Sequence, residues 1–170
     1  MIILDREGTI LQHKEPYILH QKDIKFIPGS ISALKKILEK DIHISVVSNQ
    51  SPINRGLISD VFVQSTNKLI FSKINKKSLN FSFYYCPHTD ENGCSCRKPK
   101  PGLLLQAMQN HNVMPNECWM VGDTDTDMLA GLSAGIEYNF HLLSGRQLAP
   151  SLYAKKVYGN LNDLVKSLDN

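Results

Sequence analysis

The stretch Met1-Ile2-Ile3-Leu4-Asp5-Arg6-Glu7-Gly8-Thr9 decides the fold. Its four apolar residues predict a short buried strand, and a carboxylate stands at the strand's end, followed by a tight turn at Gly8. The pattern recurs. Ile42 to Val47 is rich in β-branched residues and ends at Ser48-Asn49-Gln50. Trp119 to Val121 predicts another strand, running into Gly122-Asp123-Thr124-Asp125-Thr126-Asp127. Three apolar strands therefore each hand over to a polar cluster.

Helical patterns separate these strands. Ile31, Leu34, Ile37 and Leu38 recur at helical spacing after the turn Pro28-Gly29, which predicts a helix from about Ser30, as its cap, to Lys40. Further helices are predicted over Ile58 to about Ile74, from Pro101 to about Gln109, and over Asp127 to Ala134, the last stopped by Gly135. Phe81 to Tyr85, Glu137 to Leu142 and Ala154 to Tyr158 read as strands, and Asn162 to Leu168 as a closing helix. This alternation predicts an α/β fold with a mostly parallel sheet covered by helices on both faces. Such sheets bind ligands beyond the carboxyl ends of their strands, where the three polar clusters fall.

The chain has 170 residues, which predicts one domain over 1–170. Hydrophobic residues make up 42% and charged residues 21%, which excludes a disordered chain. A net charge of +3, spread rather than striped, gives no reason to expect a nucleic-acid partner. No apolar run approaches a membrane span, and the N-terminus lacks the basic and apolar regions of a signal peptide. The expectation is a cytoplasmic protein with no membrane contact, for which a monomer is plausible.

Three of the four cysteines fall in the window Cys86-Pro-His88-Thr-Asp-Glu-Asn-Gly-Cys94-Ser-Cys96. In a reducing compartment such a cluster binds metal rather than forming disulfides. Three thiolates and one imidazole form a closed tetrahedral set, which predicts a structural zinc ion. Cys118 lies in the apolar run Cys118-Trp-Met-Val121 and reads as a small core residue.

Four polar segments carry the chemistry. Asp5 to Thr9 places a carboxylate beside a turn whose N–H groups suit phosphate oxygens. Ser48 offers a hydroxyl. Arg97-Lys98-Pro99-Lys100-Pro101 puts cations just before a helix N-terminus, and Asp123 to Asp127 is dense in the hard oxygen donors that suit Mg²⁺.

In this order, the four segments resemble the signature of the haloacid dehalogenase-like phosphohydrolases: Asp-x-Asp-Gly-Thr, a Ser or Thr, a Lys, and Gly-Asp-x-x-x-Asp. The resemblance spans residues 2–135. It implies a three-layer Rossmann-like sandwich and an aspartyl-phosphate mechanism. Asp5 to Thr9, Asn49-Gln50-Ser51 through Arg55-Gly56, Cys86-Pro-His88 and Cys94-x-Cys96-Arg97-Lys98-Pro-Lys-Pro-Gly102 resemble a capless, zinc-loop subgroup. That subgroup holds heptose bisphosphate phosphatases and histidinol-phosphate phosphatases. The Asn-Gln-Ser stretch and Lys-Pro-Lys-Pro-Gly favour the heptose type, feeding nucleotide-activated heptose for surface polysaccharide. The short spacing from His88 to Cys94 is more like the histidinol type.

The resemblance implies these roles. Asp5 is the nucleophile. Glu7 is the acid/base and lends its main-chain carbonyl to Mg²⁺, which Asp5 and Asp123 also hold while Asp127 orients the shell. Ser48 and Lys98 stabilise the transferring oxygens. Arg97, Asn49, Gln50 and Ser51 contact a small phosphorylated sugar, and Cys86, His88, Cys94 and Cys96 hold Zn²⁺.

Two residues depart from the pattern. Glu7 stands where the family has Asp, and Thr124 where the subgroup carries a basic residue. Lys14, Arg55 and Lys100 are candidates to replace that charge. Together the departures keep a third reading open, a weakened fold used for binding. His13 and Tyr17 are possible substrate contacts; His20, His43, His111 and His141 read as surface or core residues, and Asp125 as an exposed one.

Overall fold

In the computed structural model, which describes residues 1–74 and 79–168, six strands form one sheet ordered β3-β2-β1-β4-β5-β6, and every pairing is parallel. The strands are β1 (Ile2–Leu4), β2 (Ile44–Asn49), β3 (Phe81–Cys86), β4 (Trp119–Gly122), β5 (Tyr138–Leu142) and β6 (Lys156–Tyr158). The helices are α1 (Ser30–Glu39), α2 (Asp60–Lys73), α3 (Gly102–His111), α4 (Asp125–Ser133) and α5 (Leu161–Lys166). β1 lies between β2 and β4, so the two outer polar clusters flank Asp5 at one edge.

Period-two alternation sorts the strand residues between two cores. Ile2, Leu4, Val46 and Val121 face one side, where they meet Leu34 and Ile37 of α1, Ile70 of α2 and Leu164 of α5. Ile3, Val47 and Met120 face the other side and meet Leu104 and Met108 of α3 and Ala130 of α4. The three layers are thus α1, α2 and α5, the sheet, and α3 with α4. Leu34 is fully buried, and truncating such a leucine to alanine costs about 2–5 kcal/mol. Among the described residues, no further layer stands between β1 and α1 or between β3 and α3 that would cap the strand ends.

Several element ends differ from the sequence reading. α1 is capped by Gly29 in the left-handed region at φ 81°, not by Ser30. Ser30 lies inside the first turn, and its hydroxyl donates instead to the Ile10 carbonyl at 3.0 Å, tying α1 to the loop after β1. β2 begins at Ile44 and runs through Asn49, because the polar residues Ser48 and Asn49 still pair with Tyr85 and Cys86 of β3. α5 starts at Leu161, where Asn160 accepts from the Asp163 N–H at 3.2 Å.

Candidate active site

The parallel sheet carries the ends of β1, β2 and β4 to one edge, and Asp5, Ser48 to Ser51 and Asp123 gather there. Lys98 arrives from the segment between β3 and α3. Its ammonium is buried and all three of its N–H donors are used: to Asp5 Oδ1 at 2.6 Å, Asp127 Oδ1 at 2.6 Å and the Val47 carbonyl at 2.8 Å. Burial works against its charge, but Asp127 and Asp5 outweigh burial and hold the ammonium protonated. Burial raises Asp5 well above the usual carboxylate range; Lys98 opposes that shift, while Asp127, Asp123 and Glu7 add to it. Burial and the nearby Asp127 bring Asp123 up to about 6.

The carboxylates are held individually. Asp127 uses Oδ2 to accept from the Thr124 N–H at 3.1 Å and its hydroxyl at 2.8 Å, which leaves Oδ1 for Lys98. Thr124 therefore positions Asp127 at the start of α4. Asp123 Oδ2 accepts from the Arg146 N–H at 2.6 Å. Gly8 has φ +87°, and a Cβ there would lie 2.3 Å from Asp123 Oδ2, so the turn after β1 requires glycine on both counts.

Glu7 is gripped from two sides. Arg6 Nε donates to its Oε1 at 2.9 Å, and Gln50 Nε2 lies 3.3 Å from both carboxylate oxygens. Arg6 is itself buried, and Asn67 of α2 accepts from its Nη1 at 2.9 Å. The longer reach of Glu over Asp is thus taken up by a fixed partner.

A cavity of about 340 Å³ opens over these groups. Asp5, Glu7, Asp123 and Asp127 form its acidic floor; Lys14, Arg97 and Arg146 stand on its wall, with His13 and Tyr17. Asn49, Gln50 and Ser51 line it as well, but Ser48 does not and lies buried at the end of β2. Asn49 forms a two-bond clasp with the main chain of Lys98, at 2.9 and 3.0 Å. Of the cations considered as replacements for a base at 124, Lys14 lines the cavity. Arg55 and Lys100 do not, and Lys100 bonds the carbonyls of Gly93 and Cys94. Asp125 accepts from Gln147 at 3.0 Å, and His141 is buried against the Asp123 carbonyl at 3.0 Å. Sequence reading missed Arg6, Asn67 and Arg146. Only Arg6, beside the nucleophile, carried any local signal.

The Cys86, His88, Cys94 and Cys96 ligand atoms lie mutually within 4.8 Å. Sγ–Sγ separations are 3.1, 3.4 and 3.6 Å, and His88 Nδ1 lies 3.3 Å from Cys96 and 3.5 Å from Cys86. The sulfur separations are somewhat shorter than the edges, about 3.8 Å, of a tetrahedron around an ion at about 2.3 Å from sulfur, so the four groups converge on one ion-sized point. Burial takes the Cys86 thiol up to about 12. At Cys94 burial works the same way, but the Arg97 N–H and the neighbouring thiols outweigh it and bring the thiol down to about 6. Cys118 lies apart, buried in the core with its thiol on the Met114 carbonyl.

A sheet in this order, with a buried lysine among three carboxylates at its carboxyl edge, is the arrangement expected of the haloacid dehalogenase-like phosphohydrolases. Comparison with known proteins agrees. A family model described as HAD-hydrolase-like matches residues 95–160. The D-glycero-β-D-manno-heptose-1,7-bisphosphate 7-phosphatase of Pasteurella multocida is 37% identical over 98% of this chain and 97% of its own length. The Helicobacter pylori protein of the same name is 34% identical over 97% and 96%. The chain belongs to the family of the D-glycero-β-D-manno-heptose-1,7-bisphosphate 7-phosphatases. The fold also matches the D,D-heptose 1,7-bisphosphate phosphatase of B. bronchiseptica, a structure complexed with magnesium and phosphate. That match has a TM-score of 0.88 at 24% identity and covers 98% of this chain and 96% of the other.

Proposed function

We propose that residues 1–170 act as one domain that hydrolyses the 7-phosphate of a heptose 1,7-bisphosphate in the cytoplasm, and that Asp5 is the nucleophile. The observation that carries this reading is the Lys98 ammonium bridging Asp5 and Asp127 beside Asp123. The names of the relatives supply the substrate, and no observation at the site favours histidinol phosphate or a purely binding role.

The carboxylate set fits Mg²⁺. It offers only hard oxygen donors, and its crowding raises Asp5 and Asp123, a cost that a divalent cation removes. Asp5, Asp123 and the main-chain carbonyl of Glu7 would hold the ion, with Asp127 orienting the shell. Bound there, it would neutralise phosphoryl charge and aim the phosphorus at Asp5. Asp5 attacks phosphorus, and the bond from phosphorus to the sugar oxygen breaks. Glu7 gives its proton to that oxygen and then takes one from the water that cleaves the aspartyl phosphate. Lys98, which lines the cavity, stabilises the transferring oxygens. Arg97, Gln50, Ser51 and Asn49 border the sugar. Cys86, His88, Cys94 and Cys96 hold Zn²⁺ as a structural ion, which braces the segment leading to Arg97 and Lys98.

The test is Mg²⁺-dependent phosphate release from the bisphosphate, beside histidinol phosphate. Turnover of the heptose substrate that Asp5→Asn abolishes is the expected result. Preference for histidinol phosphate, or turnover by Asp5→Asn, would overturn it.

A further inference from the structure

The cations around the cavity are not equally committed. Lys98 spends all three donors on the floor. Arg97 donates from Nε and Nη2 to Asp90 at 2.7 and 3.3 Å, and Lys14 pairs with Asp23 at 2.5 Å. Arg146 differs. Among the described residues, its guanidinium has one partner, Glu15 at 3.5 Å, and both side chains are about two-thirds exposed. An exposed pair at that distance contributes little and is exchanged at little cost. Glu15 also has His13 at 2.8 Å, so it keeps a partner when Arg146 leaves.

The root of Arg146 is fixed where its tip is free. Its N–H donates to Asp123 Oδ2 at 2.6 Å, and Ser144 of the same loop donates to the Gly8 carbonyl at 2.7 Å. Gly145 packs so closely that a Cβ there would lie 2.1 Å from Asp123 Oδ2. The loop after β5 is thereby tied to the carboxylate floor, and it presents a long cationic side chain on the cavity wall. Thr124, also on that wall, is neutral. An uncommitted planar guanidinium on a fixed base suits a dianionic phosphate, which it binds through two parallel N–H donors.

We propose that Arg146 is the specificity-determining residue for the end of the substrate remote from the reacting phosphate, where it binds a second phosphate. This rests on the reading of the chain as a bisphosphate phosphatase. The main-chain bond to Asp123 survives any replacement but proline, so Arg146→Ala removes the guanidinium and leaves the floor in place.

The experiment compares kcat/KM for heptose 1,7-bisphosphate with that for p-nitrophenyl phosphate, which has no second phosphate. Loss of a charge-assisted contact should lower the ratio of the two by about 10–100-fold in Arg146→Ala, chiefly through KM for the bisphosphate. Arg146→Lys should recover part of it. An unchanged ratio in Arg146→Ala, with the bisphosphate still preferred, overturns the proposal alone. If the unmodified chain itself shows no preference for the bisphosphate, the functional reading falls and the proposal falls with it.

Discussion

Oδ1 of Asp5 lies 2.6 Å from the ammonium of Lys98, and the pair is buried at the end of the central strand. Lys98 thus neutralises part of a cluster in which Asp5, Asp123 and Asp127 crowd together. Removing one partner of a buried ion pair leaves uncompensated charge, at a cost of about 3–5 kcal/mol. Lys98→Met should lose stability of that order at pH 7 by chemical denaturation. The loss should be smaller at pH 5, where protonation relieves the cluster, and millimolar Mg²⁺ should recover part of it. A variant as stable as the parent at pH 7 would show that the cluster does not need the lysine.

Glu7 is held by Arg6 and Gln50 rather than free in the cavity. General acid–base catalysis supplies about 10²–10⁴-fold, so Glu7→Gln should lower kcat by that factor. Asn67→Ala removes only the brace behind Arg6 and should cost far less. With p-nitrophenyl phosphate, whose leaving group departs without a proton, rapid-quench kinetics should show Glu7→Gln accumulating the aspartyl phosphate. Unaltered kcat in Glu7→Gln would remove residue 7 from the chemistry.

Gly145 has no room for a side chain against Asp123. Gly145→Ala must displace that carboxylate, because the Arg146 N–H already fixes its Oδ2. A displacement near 1 Å costs about 10²-fold in rate, which steady-state assays should register, with a raised Mg²⁺ requirement and a native circular dichroism spectrum. Wild-type kinetics would mean that the loop yields instead.

Cys94→Ser should abolish stoichiometric zinc, measured by inductively coupled plasma mass spectrometry, and should lower the Tm. Zinc-free protein of full stability and activity would refute a structural ion in the Cys86 to Cys96 loop.

His43 packs against His111 as a tilted pair with ring centroids 3.6 Å apart. Burial, then the His111 charge and the N-terminal ammonium, bring His43 down to about 4 from its ordinary value of 6.5. The unfolded chain therefore takes up this proton first, and stability falls as pH drops from 6.5 towards 4. His43→Gln should flatten that slope, read as Tm against pH. An equal slope in parent and variant would place the acid sensitivity elsewhere.

Local signals in the sequence revealed most of this architecture. Apolar runs ending in Asp5, Ser48 and Asp123 located the sheet edge, because strand period and turn chemistry are encoded within a few residues. The capping role of Gly29 was hidden because Ser30 is the better capping residue by type, yet its hydroxyl goes to Ile10. Arg6 on Asn67, and the Arg146 N–H on Asp123, join positions 61 and 23 residues apart. Neither pairing leaves a periodicity or a motif, and only the folded chain displays them.

The Asn49 clasp on the Lys98 main chain has a consequence for which lengths of this chain are allowed to vary. Cys96 is fixed by its sulfur neighbours and Lys98 by Asn49, with Arg97 alone between them. A residue inserted there would have to break one anchor or pull the ammonium out of the carboxylate floor. Asp90 to Gly93, in contrast, turns through exposed residues from an anchor at the buried Thr89. The loop should therefore change length at Glu91 with little effect on catalysis, while Asp90, which holds Arg97, and the register from Cys96 to Lys98 stay fixed.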